Sequence, residues 1–190
     1  MKSRLTDFNY QQAAIQLDCD IPAIRAVIDV EAPNGGFNPD DTPVTLFESH
    51  HFSRFTNRIY DNAFPYLSSK KWNRNNYGKT WQQEQLRLQQ AMLLNREAAL
   101  KSASWGRPQI MGFNYLISGC RNIQEFVNAM YRSEESQLNL FCNFLKSNKL
   151  DIPLRRHDWD QFAFGYNGPS YSTNKYDARL EAAFNRHRGI

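Results

Sequence analysis

The sequence predicts an α+β fold that is mostly α-helical, with a small hairpin or irregular sheet after its second helix. Two observations point there. Apolar residues recur at i, i+3, i+4 and i+7 through most of the chain, the period of a helix with one buried face. That period stops after Glu31, where Gly35, Gly36, Pro39, Asp40, Asp41 and Pro43 supply turn chemistry around short extended candidates at Phe37 and over 44–47. The 190 residues are 41% hydrophobic and 14% aromatic, a globular composition whose length fits one domain over residues 1–190.

Taken in order, the first apolar stripe is Tyr10, Ala13, Ala14 and Leu17. Asp20 is placed to cap a second helix that tolerates Pro22 in its first turn, and Pro33-Asn34-Gly35-Gly36 ends it. Residues 51–79 are polar and aromatic without a clear period, most loop-like over 73–76. A long helix is expected over about 81–101, with Trp81, Leu88, Ala91, Met92, Ala98 and Ala99 inward. Residues 102–113 break it with small residues, Gly and Pro, and read as a turn followed by a short helical piece. Asn122 then caps a helix carrying Ile123, Phe126, Val127 and Met130, and Ser133 one carrying Leu138, Phe141, Cys142 and Leu145. Asp158 caps a short helix with Trp159, Phe162, Ala163 and Tyr166 on one face, closed by Asn167-Gly168-Pro169. The last helix turns Tyr176, Leu180, Ala183 and Phe184 inward and leaves Arg179, Arg186 and Arg188 on a solvated face.

Several function classes drop out. No apolar run approaches the roughly 20 residues that span a bilayer, and Met1-Lys2-Ser3-Arg4 leads into polar residues, so a chain made in the cytoplasm without a signal peptide is expected, with no stable membrane insertion. Cys19, Cys120 and Cys142 are odd in number and lack a Cys-x-x-Cys pair, which fits free thiols. His50 and His51 are adjacent, His157 and His187 lie far along the chain, and no His-x-x-x-His accompanies them; no metal and no cofactor is expected. Serine-hydrolase elbows, dinucleotide fingerprints and phosphate loops are missing too. A net charge of +4, with pI near 9.0, attracts anionic partners without saying which.

The residue that asks for a chemical explanation is Glu31. It completes the stripe Ile24, Val27, Ile28, so a helix face that should meet the core ends in a carboxylate. Loss of water raises the pKa of such a group and the negative end of the helix dipole pushes the same way, which makes a general acid that works near neutral pH. The bland alternative is a helix-terminal carboxylate whose stem snorkels to solvent.

The combination Val30-Glu31-Ala32 with Gly35-Gly36-Phe37, Leu46-Phe47-Glu48-Ser49-His50, Ser102-Ala103-Ser104-Trp105-Gly106, Gln109-Ile110-Met111-Gly112 and Tyr166-Asn167-Gly168-Pro169 resembles the N-acetylmuramidase family of phage endolysins. The resemblance runs from about Thr6 to Arg186 and implies a lysozyme-like fold, in which a glutamate at a helix end precedes a small sheet and a helical lobe. Two places depart from the expected pattern: Asp40-Asp41-Thr42-Pro43 replaces an Asp-Gly-Arg-Pro type turn, and Arg107-Pro108 precedes Gln109 where Pro108 has no N–H to donate.

The activity implied is hydrolysis of the β-1,4 bond between N-acetylmuramic acid and N-acetylglucosamine in peptidoglycan, by a monomer with no separate cell-wall-binding domain. Glu31 is the candidate acid. Glu48, at the end of the extended stretch, is the candidate second carboxylate, with a structural ion pair to Arg54 or His50 as the other reading. Asp40 and Asp41 read better as turn chemistry. Ser104, Trp105 and Gln109 are candidates to line the cleft, and Tyr166 and Asn167 to orient the acid and grip an N-acetyl or hydroxyl group; Trp105 and Tyr166 also read as core, and Asn167 as a helix cap. Glu134 reads better as a dipole-stabilising charge in a first helical turn, with an inward position beside Leu138 as the other reading. Without a signal peptide, the enzyme would need a holin-like membrane-opening partner to reach the periplasm and wall. Two rivals stand beside this reading: a lytic transglycosylase on the same substrate, which needs one acid, and a basic helical nucleic-acid-binding module, in which Glu31 has no role.

Overall fold

A computed structural model describes residues 2–189, apart from the side chain of Ser170; Met1, part of the N-terminal stretch read above, and Ile190 lie outside the described residues. Helix α1 (Asp7–Leu17) starts at a reciprocal cap in which Thr6 Oγ1 accepts from the Asn9 N–H while the Asn9 side chain accepts from the Thr6 N–H. It buries Tyr10, Ala13 and Leu17. Helix α2 (Ile21–Glu31) is capped by Asp20, whose Oδ1 accepts from the Ala23 N–H at 3.1 Å, and its Ile24, Val27 and Ile28 are sealed from solvent. Strand β1 (Thr45–Phe47) and helix α3 (Ser49–Phe55) follow, then α4 (Trp81–Leu94) and α5 (Arg96–Lys101). Strands β2 (Ala103–Trp105) and β3 (Ile110–Met111) lead to α6 (Ile123–Arg132), α7 (Glu134–Ser147), α8 (Asp151–Arg155), α9 (Trp159–Asn167) and α10 (Tyr176–Arg188).

The helical periods and the caps at Asn122, Ser133 and Asp158 hold. The structure departs from the sequence reading in four places. The long helix over 81–101 is two, because Asn95 takes an extended backbone and its Oδ1 accepts from the Ala98 N–H, starting α5 afresh. The aperiodic stretch over 51–79 begins inside α3, a helix too short to show a period. Helix α8, five residues with Pro153 in its first turn, was not expected at all. Finally, residues 102–113 form β2 and β3, and the helical piece is only the 3₁₀ turn Gly112–Asn114. The sheet runs β1-β2-β3, antiparallel throughout, with Leu46 opposite Ser104 and Ser104 opposite Met111. Only the bridge between Phe37 and Pro43 is local to the turn after Glu31. Strands of two or three residues are too short to display alternation, and their partners lie far along the chain.

The core gathers Phe47, Phe52, Trp105, Phe126, Phe141 and Phe162 with the inner faces of α2 and α10. Among the described residues no helix is long and apolar enough to cross a membrane. Two polar side chains of α7 fix the loop after Glu31. Glu134, 2% exposed, faces inward and does more than complement the helix dipole: it accepts from the N–H of Gly36 at 2.7 Å and of Leu5 at 2.9 Å, and pairs with Arg107 at 3.1 Å. Gln137 accepts from the Arg107 N–H at 2.7 Å and donates to the Met130 carbonyl at 2.9 Å. The chain passes so close that a Cβ on Gly36 would stand 2.1 Å from Gln137 Oε1, hence the glycine.

Removing Glu134 strands two backbone donors and leaves the half-buried Arg107 guanidinium with Asp29 alone. Glu134→Ala is expected to lower the unfolding free energy by about 3 kcal/mol in urea titration, whereas Glu97→Ala, which breaks an exposed pair with Lys101, leaves it nearly unchanged.

Candidate active site

Glu31 ends α2 at the junction of two hollows. One, of about 530 Å³, has Glu31 on one side, Leu46 and Glu48 from the end of β1, Ser104 and Gln109 from the β2–β3 hairpin, and Tyr166, Asn167, Tyr176 and Arg179 from α9 and α10. The other, of about 620 Å³, shares Glu31 and Gln109 and runs past Gly35, Phe37 and Trp81. A long substrate lying across both would bring its middle over the Glu31 carboxyl.

Burial pushes the Glu31 carboxyl up to about 7, against the opposing pull of the Tyr176 phenol and the Arg179 guanidinium. Tyr176 Oη donates to Glu31 Oε1, and Arg179 Nη2 donates to the Val30 carbonyl at 3.1 Å. Arg179 therefore covers the open end of α2, and desolvation rather than the helix dipole is the main cause of the shift. Tyr166 was expected to orient the acid, but its hydroxyl donates instead to the Pro108 carbonyl at 2.5 Å, and its ring stacks on that of Tyr176 at 6.4 Å. Pro108 thus takes part through its carbonyl oxygen.

Glu48 stands on the same cleft, just before α3. Tyr77 Oη donates to its carboxylate, 2.9 and 2.7 Å from the two oxygens, and His50 Nδ1 lies 3.2 Å from Oε2. Trp72 Nε1 in turn donates to Tyr77 Oη at 2.7 Å. Arg54, the other expected partner, instead lies over the Phe55 ring at 4.9 Å.

The hairpin residues divide. Ser104 reaches the cleft and its Oγ donates to Gln109 Oε1 at 2.8 Å. Gln109 Nε2 donates to the carbonyls of Gly106 and Val44 at 2.7 and 3.3 Å. Those bonds hold Gln109 at φ +50°, a left-handed backbone that an L side chain resists, so its amide serves the turn first. Trp105 does not line the cleft: it is 1% exposed, its Nε1 donates to the Leu100 carbonyl at 3.1 Å, and it is core, the other reading of the sequence. Its neighbours on β2 take alternate faces, so Ser104 can face the cleft only if Trp105 faces away. Asp40 does turn chemistry, its Oδ1 accepting from the Thr42 N–H at 3.1 Å. Among the described residues no three His, Cys, Asp or Glu side chains converge as metal ligands would.

Tyr176, Arg179 and Tyr77 belong to the site and were not singled out from the sequence. Tyr176 is separated from Glu31 by 145 positions, and an inward aromatic in a last helix reads as core.

With this geometry in view, the model of the N-acetylmuramidase family matches residues 20–188. The chain belongs to that family. The enzyme is therefore a glycoside hydrolase of the muramidase kind. Its structure is similar to the crystal structure of the Burkholderia AP3 phage endolysin, with a TM-score of 0.87 and 38% sequence identity, over 97% of this chain and 71% of that one. A comparison with curated proteins finds no match.

The raised carboxyl has a thermodynamic signature. A proton held to about 7 in the folded enzyme, against an ordinary 4.5, favours folding below the lower value, and that contribution is lost as pH rises through the upper one. Glu31→Gln carries no such penalty. Its stability advantage over the wild type is expected to widen by roughly 3 kcal/mol between about pH 4 and about pH 8, read from melting curves of the two proteins.

Proposed function

We propose that this muramidase is an endolysin that cleaves the β-1,4 bond on the far side of N-acetylmuramic acid in peptidoglycan, with Glu31 as its general acid. The observation that carries this reading is a desolvated carboxyl, its pKa pushed up to about 7, at the meeting point of two hollows. The glycan strand lies along both hollows, Glu31 gives its proton to the bridging oxygen as the bond breaks, and the positive charge developing on the sugar faces the Glu48 carboxylate across the cleft. Asn167 and Ser104 offer polar contacts to the N-acetyl and hydroxyl groups. The net charge of +4 favours residence on an anionic wall.

One observation favours a second reading. The hydrogen bonds of Glu48 to Tyr77 and its contact with His50 leave it less free to attack or to activate water, and a lytic transglycosylase needs no second carboxylate. Hydrolysis leaves reducing ends; intramolecular attack leaves anhydro ends, lighter by one water.

Clearing of purified sacculi is expected to fall on the order of a thousandfold in Glu31→Gln, and in the wild type to decline as pH rises through about 7. Mass analysis of the digest is expected to show reducing ends, with Glu48→Gln slower by about a hundredfold. Anhydro ends and an active Glu48→Gln would establish the transglycosylase instead.

A further inference from the structure

We propose that Tyr176 is the positioning residue of the acid: its phenol holds the Glu31 carboxyl in one orientation between the two hollows and stabilises the carboxylate that remains once the proton has left. This rests on the reading of Glu31 as the general acid.

The phenol is itself held. Tyr176 is 5% exposed and its ring lies within 8° of parallel to the ring of Tyr166. Tyr166 is anchored through its hydroxyl on Pro108 and wedged edge-on by Phe141 and Phe144. The Tyr176 hydroxyl donates to Glu31 Oε1, with Asn167 on the cleft wall beside it. The backbone adds its own constraint, since Lys175 in a left-handed conformation (φ +48°) starts α10 so that Tyr176 is its first residue, and Arg179 binds the last turn of α2 from the next turn. An aromatic present only to fill the core needs no hydrogen bond to Glu31.

Other charged or titratable groups around Glu31 are accounted for. Arg179 of α10 acts in the same sense as the phenol, favouring the carboxylate, and Tyr166 of α9 spends its hydroxyl on Pro108. Glu48 stands across the cleft with its own partners. On α2, Asp29 pairs with His187 at 2.8 Å and Arg107 at 3.3 Å, and in the second hollow Glu134 pairs with Arg107, Asp41 accepts from the Lys2 N–H, and Lys2 and Arg4 lie along the wall.

Tyr176→Phe keeps the stacked ring and removes only the donor. Without it the carboxylate is less favoured, so the alkaline limb of the pH–rate profile is expected to move up by about one unit. With the carboxyl free to turn, kcat is expected to fall on the order of tenfold while KM stays within about twofold. The pH at which the melting temperature declines through Glu31 ionisation should move up with the limb. A purely structural tyrosine would cost stability and activity but leave both midpoints in place; unmoved or lowered midpoints overturn the proposal. Should Glu31→Gln remain active, the functional reading fails by itself, and the melting midpoint still decides whether the phenol sets the proton affinity of Glu31.

Discussion

The structure depends on a carboxyl placed at the end of a helix whose neighbouring face is sealed in the core. Ile24, Val27 and Ile28 anchor α2 against α1 and α10, and that packing brings Glu31 out of water and under α10. Desolvation disfavours the charged form, so the same apolar contacts that stabilise the helix prepare its last residue to hold a proton. Stability and chemistry pull against each other at this residue, as they do where a site departs from the rules that specify a fold.

Keeping the acid in place takes polar side chains from distant elements. Glu134 and Gln137 of α7 pin the Gly35-Gly36 loop and Arg107, while Tyr176 and Arg179 of α10 grip the last turn of α2. On the other wall, buried Glu84 and Arg87 of α4 bind the backbone N–H and carbonyl of Phe47, just before Glu48. Each bond joins segments far apart in sequence, so the cleft is assembled by tertiary contacts rather than by any local motif.

That explains which parts were legible in the sequence. Helices with long apolar stripes and side-chain caps could be read, because cap and stripe are local: Asp20 with Ile24 and Val27, Asn122 with Phe126, Ser133 with Phe141. Glu31 stood out because it breaks such a stripe. The strands could not be read from two or three residues each, nor the break at Asn95, where no Gly or Pro marks it. In the site, Glu31, Glu48, Ser104, Gln109, Tyr166 and Asn167 do line one cleft. Trp105 does not, since the face a short strand presents is decided by its partners. The roles of Tyr176 and Glu134 went unrecognised for the same reason: an inward tyrosine resembles core and a first-turn glutamate resembles a charge placed for the helix dipole until the residue they touch is known.

The most direct test of this account is a carbon-13 NMR titration of the Glu31 carboxyl in the wild-type enzyme, assigned by its disappearance in Glu31→Gln. A midpoint of about 7 is expected. A midpoint at the ordinary glutamate value of 4.5 would contradict this, for a carboxyl already ionised near neutral pH has no proton to give a departing sugar.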